Sequence, residues 1–151
     1  MAITKASKLT VIFLTIAALA LALTTIAAIT INPRLSSSGA IIAEPNVGVY
    51  SNSACTAGIS SINWGSVEAG GSASQTIYVK DTGGTAVTLS LAVSNWSPST
   101  ASTYINLTWT GQGSRIAVGG SLAVTLTLTV PSSTPTSITS FSNSITISGT
   151  G

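Results

Sequence analysis

Residues 62–91 read INWGSVEAGGSASQTIYVKDTGGTAVTLSL, and the alternation in their second half decides the fold class. Over 75–80, Ile77 and Val79 alternate with Thr76, Tyr78 and Lys80. Over 87–93, Val87, Leu89, Leu91 and Val93 alternate with Thr88, Ser90 and Ala92. A period of two places one set of side chains in a core and the other in water, the pattern of strands in antiparallel sheets. Turn chemistry punctuates both strands: Gly70 and Gly71 lie in a cluster at 68–72, and Asp81, Gly83 and Gly84 in one at 81–85.

The same rhythm continues outward. Over 104–110, Ile105, Leu107 and Trp109 share a face opposite Tyr104, Asn106 and Thr108; over 122–130, apolar residues at even positions interleave with Ala123, Thr125, Thr127 and Thr129. Weaker strands are expected at 46–50, 59–64 and 141–147, with turns at 95–102, 111–114, 119–121 and 131–137. About seven short strands separated by such turns predict an all-β, antiparallel, immunoglobulin-like β-sandwich over 46–151. No stretch after residue 31 offers an amphipathic helix.

The chain has 151 residues, with 5% charged side chains and no histidine. Its acids are Glu44, Glu68 and Asp81, and beyond the N-terminal segment they are balanced by Arg34, Lys80 and Arg115. A neutral body argues against a nucleic-acid partner. Without histidine, and with scattered acids, no catalytic triad, metal site or carboxylate pair can be assembled within one chain, so no enzyme activity, cofactor or metal is expected. Cys55 is alone, which rules out an intrachain disulfide; the alternatives are a small apolar or partly exposed thiol, an intermolecular bridge, or a nucleophile lacking a base.

Residues 1–8, MAITKASK, precede an apolar run at 9–31 whose non-apolar positions are all threonine. As a helix the run is about 34 Å long, enough to cross a bilayer core. Lys5 and Lys8 before it orient the N-terminus inside, so everything after Pro33 is expected to be extracytoplasmic, at the cell surface or secreted. The length favours a retained membrane anchor, whereas Ala18-Leu19-Ala20 and Ala20-Leu21-Ala22 fit signal-peptide cleavage. Lys5-Ala6 before Ser7 resembles the leader of archaeal type IV pilins, which keep the apolar helix; Lys8 departs from that pattern. Residues 32–45 then form a linker or a donor strand.

Asp81-Thr82-Gly83 spells the triplet of pepsin-like and retroviral aspartic proteases. Those enzymes need two carboxylates sharing a proton, here obtainable only if two chains meet. Lys80 before the aspartate and the glycine pair after it fit a hairpin turn instead, with aspartate bonding local backbone and glycine supplying positive φ. Two sequons, Asn95-Trp96-Ser97 and Asn106-Leu107-Thr108, are candidate N-glycosylation sites, Asn106 on the wet face of its strand and Asn95 in a turn. Of the tryptophans, Trp109 is in phase with the core, Trp64 ends a strand, and Trp96 is the one free for contact with a sugar.

Trp64-Gly65-Ser66-Val67, the turn at Gly70-Gly71-Ser72 and the strand ending Val79-Lys80-Asp81-Thr82-Gly83 resemble the opening half of many secreted immunoglobulin-like domains. More narrowly, about 47–147 resembles the extracellular fibre proteins of the TasA and camelysin type and related archaeal bundling pilins. Such patterns specify fold better than function. The resemblance implies a homopolymer built by donor-strand complementation, with the donor at 38–44, SGAIIAE, anchored by Ile41 and Ile42; the alternative is a flexible stalk. The expected function is a self-assembling surface fibre or pilus-like subunit; the alternative is a membrane-anchored module binding a surface protein or glycan.

Overall fold

The structure, a computed structural model, describes residues 34–44 and 46–151. The expectations for residues 1–8 and for the apolar segment 9–31, its cleavage included, lie outside the described residues. The fold is all-β, in two sheets. Nine strands are present among the described residues: β1 Arg34–Ala43, β2 Val47–Tyr50, β3 Ser61–Glu68, β4 Ser72–Asp81, β5 Val87–Ser97, β6 Asn106–Trp109, β7 Arg115–Ile116, β8 Ser121–Thr129 and β9 Ser140–Thr150. One sheet (sheet A) has the order β3-β1-β9-β5-β7, and the other (sheet B) β2-β4-β8-β6.

Odd strands all lie in one sheet and even strands in the other, so every connection crosses from sheet to sheet. The expected hairpin at 81–85 is therefore corrected. Asp81–Gly84 carries the chain from β4 in one sheet to β5 in the other, because the residues that favour a tight turn favour any abrupt reversal, and packing decides where it leads. The wholly antiparallel expectation is corrected as well. β1 runs parallel to β9, from Ser36 opposite Ser140 to Ala43 opposite Ile147, and antiparallel to β3 on its other side.

The core lies between the sheets. Val87, Leu89, Ile145 and Ile147 from one sheet and Ile77, Val79, Leu126 and Leu128 from the other are all at most 2% exposed. Each such side chain contributes roughly 1.5–3 kcal/mol when fully buried. The outward faces carry serine and threonine, some paired across strands: Ser90 Oγ lies 2.7 Å from Ser148 Oγ, and Ser74 Oγ 3.1 Å from Thr127 Oγ1.

β3 runs past Trp64, where sequence alternation ends it. Its buried residues are Ile62, Trp64 and Val67, a change of phase. Ser37 of β1 faces Gly65 while Ser38 faces Asn63, so Trp64 is an extra residue, a β-bulge. Gly65, at φ 72°, supplies the left-handed conformation that the kink needs, and the strand resumes with Val67 turned back to the core. A second bulge interrupts β5: Ser94 faces Ser144 and Ser97 faces Ser142, with Asn95 at φ 52° between. Residues 95–97, expected in a turn, thus belong to a strand. A one-turn helix, α1 (Ala101–Tyr104), takes Tyr104 out of the strand expected at 104–110 and buries Ala101 completely.

Candidate functional site

Within the segment expected to be a linker or a donor strand, Arg34–Ala43 form the mid-sheet strand β1. Its alternation is disguised, because the core-facing set is Leu35, Ser37, Gly39 and Ile41, of which half are small or polar. The structure places the two expected donor anchors on opposite faces, as adjacent residues of a strand must be. Ile41 is 7% exposed and enters the core, whereas Ile42 is 45% exposed.

Backbone bonds hold β1 along its length. Ile41 N–H donates to the Ser60 carbonyl at 2.8 Å, Ser36 N–H to Thr139 at 3.3 Å, and Glu44 N–H to Ile147 at 3.0 Å. Side-chain complementarity is poorer. Gly39 lies against Asn143 of β9, so close that a Cβ would stand 2.7 Å from Asn143 Oδ1. Asn143 is 4% exposed, and neither its Oδ1 nor its Nδ2 has a hydrogen-bond partner. Ser37 Oγ reaches the Gly65 carbonyl only at 3.5 Å. β1 therefore gains its apolar hold from Leu35 and Ile41 and leaves polar groups of its slot unsatisfied.

A tight turn joins β1 to β2. Val47 N–H donates to the Glu44 carbonyl at 3.2 Å and Asn46 stands at φ 84°. On the solvent side of sheet A, Ser36, Ser38, Asn63, Ser66, Ser140 and Ser142 line an open groove of roughly 600 Å³. Hydroxyls and an amide there supply hydrogen bonds and no titratable group.

Asp81 is fully buried at the end of β4. Its Oδ1 accepts the Gly83 N–H at 2.7 Å, closing an Asx turn, and its own N–H donates to the Gly120 carbonyl at 3.0 Å. Oδ2 has no partner. Neither Gly83 nor Gly84 has a positive φ, which corrects the expectation that they would supply one; at Gly83 the turn is close instead, a Cβ there lying 3.0 Å from Asn46 Cβ. In the turn before β4, Gly70 does stand at φ 85°, and a Cβ on Gly71 would meet the Glu68 carbonyl oxygen at 2.9 Å. Among the described residues no group of three histidine, cysteine, aspartate or glutamate side chains comes together.

Both sequon asparagines are exposed. Asn95 Nδ2 donates to Ser144 Oγ at 3.2 Å in the β5 bulge, while Asn106 opens β6 opposite Thr129. Trp96, expected free for a sugar, is half-buried with its ring centroid 5.8 Å from that of Phe141. The bulge turns it inward, a displacement that strand periodicity alone does not reveal. Trp64 is mid-strand and 5% exposed, and Trp109 is half-buried with its indole N–H on Gln112 Oε1 at 3.1 Å. Cys55 is a half-buried free thiol in the 51–60 loop.

Comparison with protein-family models, with curated proteins and with solved structures gives no match.

Proposed function

We propose that this chain is a non-enzymatic, extracytoplasmic structural protein, an immunoglobulin-like β-sandwich displayed at the cell surface that assembles with copies of itself into a fibre by strand addition. The observation that carries the reading is β1. It is the first described strand, follows the apolar segment directly, and stands mid-sheet between β3 and β9. Withdrawing it would open a strand-length slot without unthreading any other strand. Its loss would expose the apolar contacts of Leu35 and Ile41 and release Asn143 from an amide environment that β1 does not satisfy. An equivalent strand from a neighbour would refill the slot with the same backbone bonds. The turn at Glu44 and Asn46 is the hinge, and short, constrained hinges favour exchange over closure within one chain.

The test pins β1 at home. Ser38 and Ser142 are opposed on the outer face, so Ser38→Cys with Ser142→Cys, in a Cys55→Ser background, can bridge β1 to its own β9. Fibres formed by the reduced protein and lost on oxidation before assembly are the expected result. Fibres indifferent to the bridge would refute exchange of β1, and full-length protein that stays monomeric at all concentrations would refute the fibre reading itself.

A further inference from the structure

Each marginal strand of a sheet presents a row of backbone N–H and C=O groups that its own sheet leaves unused. In sheet A both margins are guarded. β3 is kinked by the bulge at Trp64 and Gly65, the Gly65 N–H is taken by Asn63 Oδ1 at 2.8 Å, and the strand ends on an ion pair in which Arg34 Nε lies 3.0 Å from Glu68 Oε1. β7 is only Arg115–Ile116 and pairs with Val87 and Thr88 of β5; further along, the Leu89 N–H donates to the Ser114 carbonyl at 2.9 Å and the Leu91 N–H to Gln112 Oε1 at 3.3 Å, and the rest of that row is broken by the bulge at Asn95. In sheet B, β2 is covered on its outer side by the chain at 58–59, through the bridge of Tyr50 with Gly58 and the Ile59 N–H on the Val49 carbonyl at 3.0 Å.

Among the described residues, two unbulged rows remain open at the outer margins of sheet B, besides the short stretch of β8 at 121–124 that β6 does not reach. β2 reaches only Tyr78–Asp81 of β4, so the residues from Ser72 to Ile77 pair with β8 on one side and, among the described residues, with no strand on the other. At the opposite margin β6 pairs, among the described residues, with β8 alone. Neither row contains a charge or a proline. The core is also incompletely covered beside the first row. Gln75 shares the core-facing register with Ile77, yet Ile77 is 2% exposed and Gln75 is exposed. An opening of roughly 180 Å³, bordered by Ile59, Ile62, Gln75 and Ile77, lies there.

We propose that the open row of β4 in one copy receives the β6 row of a second copy, so that sheet B continues from molecule to molecule. This rests on the reading that copies associate, but not on β1 being the strand exchanged. β6, four residues long, fits within the open row. The outward side chains on the two rows, Ser74 and Thr76 on one and Asn106 and Thr108 on the other, are small, neutral and exposed. They can repeat the hydroxyl pair that Ser74 already forms with Thr127 at 3.1 Å. The two rows are different surfaces at opposite margins, so the contact is head-to-tail, the kind that propagates as a thread when its rotation does not close a ring.

Charge placed on the exposed rows tests this in the full-length chain made without N-glycans, since Asn106 lies in the β6 row and any change at Thr108 removes its sequon. Thr76→Lys with Thr108→Lys sets like charges against each other at every contact; Thr76→Glu with Thr108→Glu does the same with the opposite sign. Each variant alone is expected to leave at least about tenfold less protein in the sedimentable fraction than the unaltered chain at equal concentration, since like-charge juxtaposition costs several kcal/mol. An equimolar mixture of the two is expected to recover to within about twofold, because every contact then pairs lysine with glutamate. Tryptophan emission and the melting midpoint confirm that each variant is folded. The assignment is overturned if a singly charged population sediments like the unaltered chain, or if the folded mixture fails to recover. If the unaltered chain does not associate, the fibre reading falls and takes this one with it; if association survives the like-charge variants but stops when β1 is pinned, the β4–β6 contact alone is wrong.

Discussion

Gly39 lies against Asn143, a buried amide with no hydrogen-bond partner. A methyl group on Gly39 would stand 2.7 Å from Asn143 Oδ1 and 3.0 Å from Ile145 Cδ1, and Ile145 is fully buried and cannot yield. Gly39→Ala is therefore expected to destabilise by about 1–3 kcal/mol through overpacking. Asn143→Ala makes room, so the double variant should recover part of that loss, a coupling that urea unfolding of the four proteins in the cycle can measure. Purely additive losses would show that the two residues do not meet. The converse change, Asn143→Leu, exchanges an unpartnered buried amide for an apolar group of similar size and is expected to stabilise by about 1 kcal/mol or more. A fall in the unfolding midpoint would mean that the amide has a partner in solution, such as an internal water.

Strand β1 is where sequence and structure diverge most. Read along the chain, Ser36-Ser37-Ser38-Gly39 is linker composition, and Ile41 next to Ile42 suggests a paired anchor. In the sheet, the strand's alternation assigns the two isoleucines to opposite faces. Ile41→Ala is expected to cost about 2–5 kcal/mol, the usual range for an aliphatic core residue, and Ile42→Ala to stay within about 0.5 kcal/mol. Equal effects, read from denaturant midpoints with unchanged slopes, would contradict the register of β1 on β9. The bulges follow a similar logic, but β3's is more legible. The spacing of Trp64 to Val67 is out of phase for a regular strand, and a glycine at the intervening position marks the place where one residue can be absorbed. The Asn95 bulge has no such glycine, so periodicity gave no sign that Trp96 would turn against Phe141.

At the scale of the molecule, surface ion pairing contributes little to stability. One ion pair is formed among the described residues, Arg34 with Glu68, and its side chains are 71% and 40% exposed. Surface pairs of this kind contribute about 0–1 kcal/mol and are screened by salt. Raising sodium chloride from about 20 mM to about 500 mM is expected to change the unfolding free energy, extrapolated at each salt concentration, by less than about 1 kcal/mol. A larger loss would reveal an electrostatic contribution absent from the geometry.

The sequence by itself determined the fold class, the strong strands and the face each one buries, because a period of two in a chain poor in charge leaves few other ways to hide apolar side chains. Most turn positions were legible too, since glycine, proline, asparagine and aspartate act locally; the expected turn at 95–102 was the exception, its first three residues lying in the bulged end of β5. Only the tertiary structure decided what those turns connect. Asp81 and its glycines read as a hairpin, and the packing makes them a crossing between sheets. β1 was decided in the same way: its serines and glycine carry almost no periodic signal, and its place between β3 and β9 is set by backbone hydrogen bonds with segments far along the chain. Those bonds are invisible in any local window, and on them depend both the slot that β1 fills and the two rows of sheet B that remain open.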